Sequence, residues 1–207
     1  MDTQLPEKRN FLNLIKSNSK SLIIFGIILF LALSVYLWMD YSNKNKKIEI
    51  SEEFIKAKIL LTNNKNAEAA IYFKNIIDKK DKTYSPLSLF IIIDKNLESN
   101  REIISKNFDK ILSISGMEKE DLNLLRLKKA IFISENSKEE EILELLNPII
   151  NSNSVWKLQS AKFLGDYYFS IKQLKKAKEF YLILLDGNND GFDVSEIKRK
   201  INLIDNE

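Results

Sequence analysis

Apolar positions follow two regimes along the chain. Across residues 21–39, SLIIFGIILFLALSVYLWM, they run without a charge between Lys20 and Asp40. Beyond Ile50 they recur at intervals of three and four, broken by short polar clusters. At about 1.5 Å per residue the first run, as a helix, reaches about 28 Å, close to the roughly 30 Å hydrocarbon core of a bilayer. It predicts one membrane span. Ala32 and Ser34 resemble the small pair of a signal-peptidase site, but residues 35–39 carry the apolar run past them. An uncleaved anchor is the expectation, with a cleaved signal and a buried soluble helix as the alternatives. Tyr36, Trp38 and Tyr41 stand at one end, where amphipathic rings favour the headgroup level.

The second regime predicts helix after helix. Residues 40–49 read as a polar stalk. Phe54, Ala57 and residues 59–61 make one apolar face, and Ala70, Phe73, Ile76 and Ile77 make the next, joined by a turn at residues 62–66. Ser85 and Pro86 open a third helix whose residues 87–97 are apolar nearly all round, so it is expected to be buried. Ser99 and Asn100 cap a fourth that is expected to bury Ile103, Ile104, Phe108, Ile111 and Leu112. Gly116 is expected to end it, and Leu122, Leu125, Ala130 and Ile133 form the face of a fifth. Ser137 with Glu140 resembles a capping box ahead of Ile142, Leu145 and Leu146, with Pro148 predicted to cut that helix short. Near the end, Val194, Ile197, Ile201 and Ile204 share one face and Glu196, Lys198, Arg199 and Lys200 the other. The fold expected is all-α, an N-terminal transmembrane helix followed by a short α-solenoid and a C-terminal capping helix.

The stretch 158–191 carries a repeat signature. Leu164, Gly165, Tyr168, Ala177 and Tyr181 stand at the spacings of the tetratricopeptide repeat. Gly165 and Ala177 mark where the two helices of a hairpin approach most closely, and Tyr168 and Tyr181 fill the groove towards the neighbouring repeat. Laid backwards, the template finds worn copies. Ala57, Ile92 and Ala130 are equivalent to Gly165, at intervals of 35, 38 and 35 residues. Ala69 with Phe73, Ile104 with Phe108, and Ile142 with Leu146 are the partners on the second helices. The division expected is a tail over 1–20, a span over 21–39, a stalk over 40–49, about four hairpins over 50–191, and a cap and tail over 192–207.

Composition narrows the chemistry. The chain of 207 residues has neither cysteine nor histidine, which removes disulfides, thiolate nucleophiles, the usual general base and the commonest zinc ligand. The net charge of +3 arises from 32 basic and 29 acidic residues spread along the chain, a pattern without a nucleic-acid footprint. Asp186, Asn188, Asp190 and Gly191 match the first half of a calcium loop, but Ile197 stands where the closing Glu belongs, so a polar loop is the better reading. Glu139, Glu140 and Glu141 form a run suited to a helix start. No catalytic, metal or cofactor residue is expected, and the chain does not read as an enzyme. Lys8, Arg9, Lys16 and Lys20 before the span against Lys44, Lys46 and Lys47 after it favour only weakly an N-terminus inside.

A single N-terminal span followed by degenerate tetratricopeptide hairpins resembles the YfgM-like family, the ancillary subunit of the SecYEG translocon of Gram-negative bacteria. The resemblance rests on residues 21–39, on Trp156, Ala161 and residues 164–168, on Ala177 with Tyr181, and on residues 197–204. It implies an inner-membrane protein with a cytoplasmic N-terminus and a periplasmic repeat domain, passing exported chains from translocon subunits to periplasmic chaperones. A structural adaptor in envelope assembly or cell division would share these features, and the oligomeric state stays open. By the repeat register, Phe54, Lys58, Leu61, Leu89, Ile93, Leu127, Ile131, Lys162, Asp166 and Phe169 are expected to line a partner-binding groove.

Overall fold

The computed structural model describes residues 19–186 and 192–206. The apolar patch at Phe11, Leu12, Leu14 and Ile15 and most of the calcium-like loop, Asn188, Asp190 and Gly191, lie outside them. The described residues are all-α, with no strand among them. Nine helices follow in order: α1 Ser19–Thr62, α2 Asn66–Asp78, α3 Tyr84–Asp94, α4 Arg101–Leu112, α5 Lys119–Ile133, α6 Glu139–Ile150, α7 Lys157–Ser170, α8 Leu174–Asp186 and α9 Val194–Asp205. The chain divides into two compact units, Met1–Glu52 and Glu53–Glu207.

In the first unit α1 carries the apolar run. Its mean hydropathy reaches 1.9, and none of that window is buried. Large side chains from Ile24 to Met39 are all more than half exposed, as a core helix would not be. Hydrocarbon is the medium that satisfies such a surface, and α1 has the length to cross it. The Ser34 hydroxyl donates to the Phe30 carbonyl at 2.8 Å, so even this polar group is satisfied inside the helix. At the aromatic end Lys44 pairs with Asp40 at 2.8 Å.

The second unit is a series of helical hairpins: the last turns of α1 with α2, then α3 with α4, α5 with α6, and α7 with α8. The second helices start at residues 66, 101, 139 and 174, intervals of 35, 38 and 35. Ala57, Ile92, Ala130 and Gly165 are all buried, as are Ala69, Phe73, Ile104, Phe108, Ile142, Leu146, Leu164, Tyr168, Ala177 and Tyr181. α7 and α8 pack most intimately, while α3 and α4, with Ile92 and Ile104 at the repeat positions that Gly165 and Ala177 hold in the last hairpin, stay further apart.

Three of the four hairpins turn in the same way. Asn64, Asn96 and Lys172 adopt left-handed φ of 59°, 51° and 59°. In each, the next amide reaches back five residues: Lys65 to Leu60, Leu97 to Ile92, and Gln173 to Tyr168, all at 2.9 Å. This is the Schellman closure that satisfies the last carbonyls of a helix. The α5–α6 turn lacks it, with Asn136 and Ser137 both bonding back to Ile133.

Several boundaries differ from expectation. α6 continues through Pro148 to Ile150, because a proline this close to the end removes one hydrogen bond without disturbing later turns. Its N-cap is Lys138, without a side-chain cap, so Ser137 and Glu140 form no capping box. α4 ends at Leu112, and Gly116, at φ 70°, lies in the following loop, where a Cβ would meet the Lys82 ammonium at 2.8 Å. α3 is not buried all round, since Leu87 is 42% exposed. Asn100 does cap α4, accepting from the Glu102 amide at 2.9 Å, but Ile103 in its first turn is 40% exposed and not buried as expected. Asp193 caps α9 in the same way, at 2.9 Å from the Ser195 amide.

Candidate partner-binding groove

The first helices of the hairpins supply the residues predicted to line a groove, but these residues do not share one fate. Leu89 and Leu127 are buried at 0% and 4% exposure. They face the core and are corrected from groove to packing positions, because the apolar faces of α3 and α5 are wider than the repeat register assumes. Phe54 is half-buried, its ring 5.8 Å from Phe73 and 5.3 Å from Tyr84, so it joins adjacent helices. Leu61, Ile93 and Phe169 are half-buried, while Lys58 and Ile131 are exposed.

Lys162 and Asp166 take part in docking the last helix. The Asp166 carboxylate accepts from Lys162 at 2.6 Å, from Lys200 of α9 at 2.6 Å and from the Tyr181 hydroxyl at 2.8 Å. Lys200 also reaches Glu196 at 2.9 Å and is only 17% exposed, so it leaves the solvated basic face expected for α9. Burial pushes the Asp166 pKa up, but the three donors outweigh it and hold the carboxyl below the usual range. Burial acts on Lys200 in the opposite sense, and its carboxylate partners win there too, raising it.

Two further polar clusters tie the later hairpins together. Glu139 accepts from Lys176 at 2.6 Å, from the Tyr168 hydroxyl at 2.8 Å and from Gln173 at 3.3 Å. The Lys176 bond and then the Tyr168 bond keep it below the usual carboxylate range. Tyr168 is in turn raised by burial and by this carboxylate, and its ring stacks on Phe180 at 5.5 Å. Between α5 and α7, Glu120 accepts from Ser154 Oγ at 2.6 Å, and its backbone carbonyl accepts from Trp156 Nε1 at 3.0 Å. The buried Asn123 amide donates to Ser154 at 3.1 Å. The sequence signals were slight: a Ser-Val-Trp entry to α7 and an asparagine on an apolar face.

An open apolar cleft lies outside the predicted set. A cleft of about 220 Å³ opens between the N-terminal halves of α3 and α5, lined by Leu87, Phe90, Met117 and Leu124 with Lys82 and Asp121 at its rim. None of these six was among the predicted groove residues, although the apolar excess of α3 was visible. Among the described residues no cluster of three or more acidic side chains is placed to hold a metal ion.

The chain is similar to a protein named "Ancillary SecYEG translocon subunit" from Buchnera aphidicola subsp. Acyrthosiphon pisum (strain APS). The two are 30% identical over 168 residues, covering 77% of this chain and 82% of that one. The chain belongs to the ancillary SecYEG translocon subunit family. No family model matches it, and no solved structure matches it. The ancillary translocon subunit to which it is similar is named as a subunit and not as an enzyme. In this family member the apolar helix α1 and the helical hairpins are the features a function has to use.

Proposed function

We propose that the protein is a membrane-anchored, non-enzymatic protein-interaction subunit that associates with the SecYEG translocon and passes exported chains to periplasmic chaperones. The observation that carries this reading is the pairing, in a chain of that family, of one apolar helix with a helical solenoid whose cleft between α3 and α5 is apolar and rimmed by both charges. The hairpins follow tetratricopeptide spacing, and stacked hairpins of that kind bind partners by surface complementarity. α1 anchors the chain in the inner membrane with residues 1–20 in the cytoplasm and the solenoid in the periplasm, the orientation weakly favoured by the lysines around the span.

The test is crosslinking in intact membranes, purification in mild detergent and identification of the adducts. Recovery of translocon subunits together with periplasmic chaperones supports the reading. Recovery of division or wall-assembly proteins without the translocon overturns it in favour of an envelope adaptor. Protease treatment of spheroplasts tests the orientation, since only a periplasmic solenoid is digested.

A further inference from the structure

The junctions between successive first helices of the hairpins differ in what fills them. Between α1 and α3 the ring of Tyr84 lies 5.3 Å from that of Phe54. Between α5 and α7 the half-buried indole of Trp156 packs against the core and donates from Nε1 to the Glu120 carbonyl at 3.0 Å. Between α3 and α5 the cleft of about 220 Å³ stands open instead.

The repeat register identifies what the open junction lacks. Trp156 stands nine residues before Gly165, and Asp121 stands nine before Ala130, so α5 carries a short carboxylate where α7 carries an indole. Glu120, the acceptor of that indole, stands ten before Ala130, and Lys82 stands ten before Ile92. Asp121 and Lys82 both line the cleft. The helical donor to the Lys82 carbonyl would be the amide four residues on, but that residue is Pro86, which has no N–H. Among the described residues no backbone amide bonds to this carbonyl. The cleft therefore sets apolar walls from Pro86, Leu87, Phe90 and Leu124 beside a carbonyl without a backbone donor, at the place that matches the Trp156 seat.

We propose that this cleft receives the tryptophan side chain of an unfolded stretch of another polypeptide, seated between α3 and α5 as Trp156 is seated between α5 and α7. Its volume lies below the roughly 300–1,000 Å³ of pockets that take drug-sized ligands, which leaves room for one large side chain. Charge favours a neutral anchor. The charged side chains lining the cleft are Lys82 and Asp121, one of each sign, and Glu118 and Lys119 at the start of α5 are again one of each. The adjacent acids are already engaged, Asp81 by the Thr83 and Tyr84 amides at 2.9 and 2.7 Å and Glu120 by Ser154 Oγ at 2.6 Å. Indole supplies both the apolar ring and the N–H that a carbonyl needs, and its face is the best partner for the ammonium at the rim. A second folded copy has no free indole to offer, because the chain's two tryptophans are Trp38, within the apolar run of α1, and Trp156, held by Glu120. Folded proteins bury most of their tryptophan surface, so an available ring belongs to a chain not yet folded. The source of that chain rests on the reading above of a protein that receives exported chains.

The probe is a fluorescein-labelled, unstructured Gly/Ser peptide with one central tryptophan, titrated by anisotropy against the full-length protein in nanodiscs. Binding is expected to weaken about tenfold or more when alanine replaces the tryptophan, and to weaken with 1-methyltryptophan, which keeps the ring and loses the N–H. Asp121→Trp supplies the ring from the chain itself and should abolish binding without lowering the melting temperature. Leu87→Ser should weaken binding, and Ile71→Ser, at an apolar side chain 60% exposed on α2, should leave it unchanged. Circular dichroism confirms that each variant is folded. Equal affinity for the tryptophan and alanine peptides, binding retained by both cleft variants, or equal loss with Ile71→Ser overturns the proposal. So does a photo-crosslinker at position 87 that, in native membranes, joins only a second copy of this chain. A tryptophan-selective cleft whose crosslinker captures no exported chain would leave the seat standing and overturn the transfer reading. Capture of exported chains by a cleft indifferent to tryptophan would do the reverse.

Discussion

The ring of Tyr181 lies directly against the backbone of Gly165. A Cβ at position 165 would sit 2.5 Å from the ring, inside any tolerable contact. Tyr181 is itself buried and held by its hydrogen bond to Asp166, so the ring has little freedom to withdraw. Gly165→Ala is therefore expected to lower the stability of the solenoid by about 1–3 kcal/mol, the usual cost of overpacking. Denaturant unfolding of the full-length protein in mild detergent, followed by far-ultraviolet circular dichroism, measures it. An unchanged midpoint would show that α7 and α8 separate without cost.

The residues of this contact were legible in the sequence because glycine and tyrosine at fixed spacing leave a periodic trace. The same holds for the all-α fold and for the 35, 38 and 35 intervals, which depend only on apolar residues recurring at helical spacing. The groove was less legible. Leu89 and Leu87 are chemically alike and two residues apart, and only the lateral packing of α3 decides which is buried. The carboxylate clusters were hidden for a different reason. Asp166 and Lys200 are 34 residues apart, and no local pattern announces a pairing that forms only when α9 docks. Glu139 likewise finds its partners on α7 and α8, although its place at a helix start has a sufficient local explanation.

Acid is expected to loosen the same region. Asp166 and Glu139 have folded-state pKa values depressed below the unfolded ones. A depressed carboxylate contributes stability that is fully present above its unfolded pKa and is lost as pH falls through the folded value. The loss should thus begin as pH drops below about 4–4.5 and continue into stronger acid. Lys200, raised, acts in reverse: its contribution is present below its ordinary value and is lost only as strong alkali passes its folded pKa. Melting temperatures between pH 7 and pH 3 check the acid limb. Asp166→Asn and Glu139→Gln should each flatten it, and an unaltered slope in both would mean the clusters do not govern acid stability.

The hairpin turns offer a stabilising change. Lys172 holds a φ of 59°, a left-handed conformation in which a Cβ is crowded by the following carbonyl at a cost of about 1–2 kcal/mol. Its amide still completes the closure with Phe169 at 3.2 Å, which glycine preserves. Lys172→Gly is expected to stabilise the α7–α8 hairpin by up to about 1 kcal/mol, less than the full strain because glycine also enlarges the unfolded ensemble. Asn64→Gly should gain less, since asparagine tolerates this region better than lysine. Thermal unfolding of the two variants ranks them, and a Lys172→Gly variant less stable than the wild type would contradict the assignment of strain.

Core and cleft can be separated by substitutions two residues apart on α3. Leu89 is fully buried, so Leu89→Ala removes packed methyl groups and leaves a cavity, expected to cost about 2–5 kcal/mol. Leu87 is 42% exposed and lines the cleft with Phe90 and Leu124, so Leu87→Ser should cost less, about 1 kcal/mol. Partner recovery should respond in the opposite order. If the cleft contacts the partner, Leu87→Ser reduces crosslinked partner in native membranes while the fold persists. Leu89→Ala, measured at a temperature where it remains folded, should leave recovery near the wild-type level. Equal recovery from wild type and Leu87→Ser would place the contact away from this cleft. Loss with Leu89→Ala alone would tie capture to the stability of α3 and not to its open face.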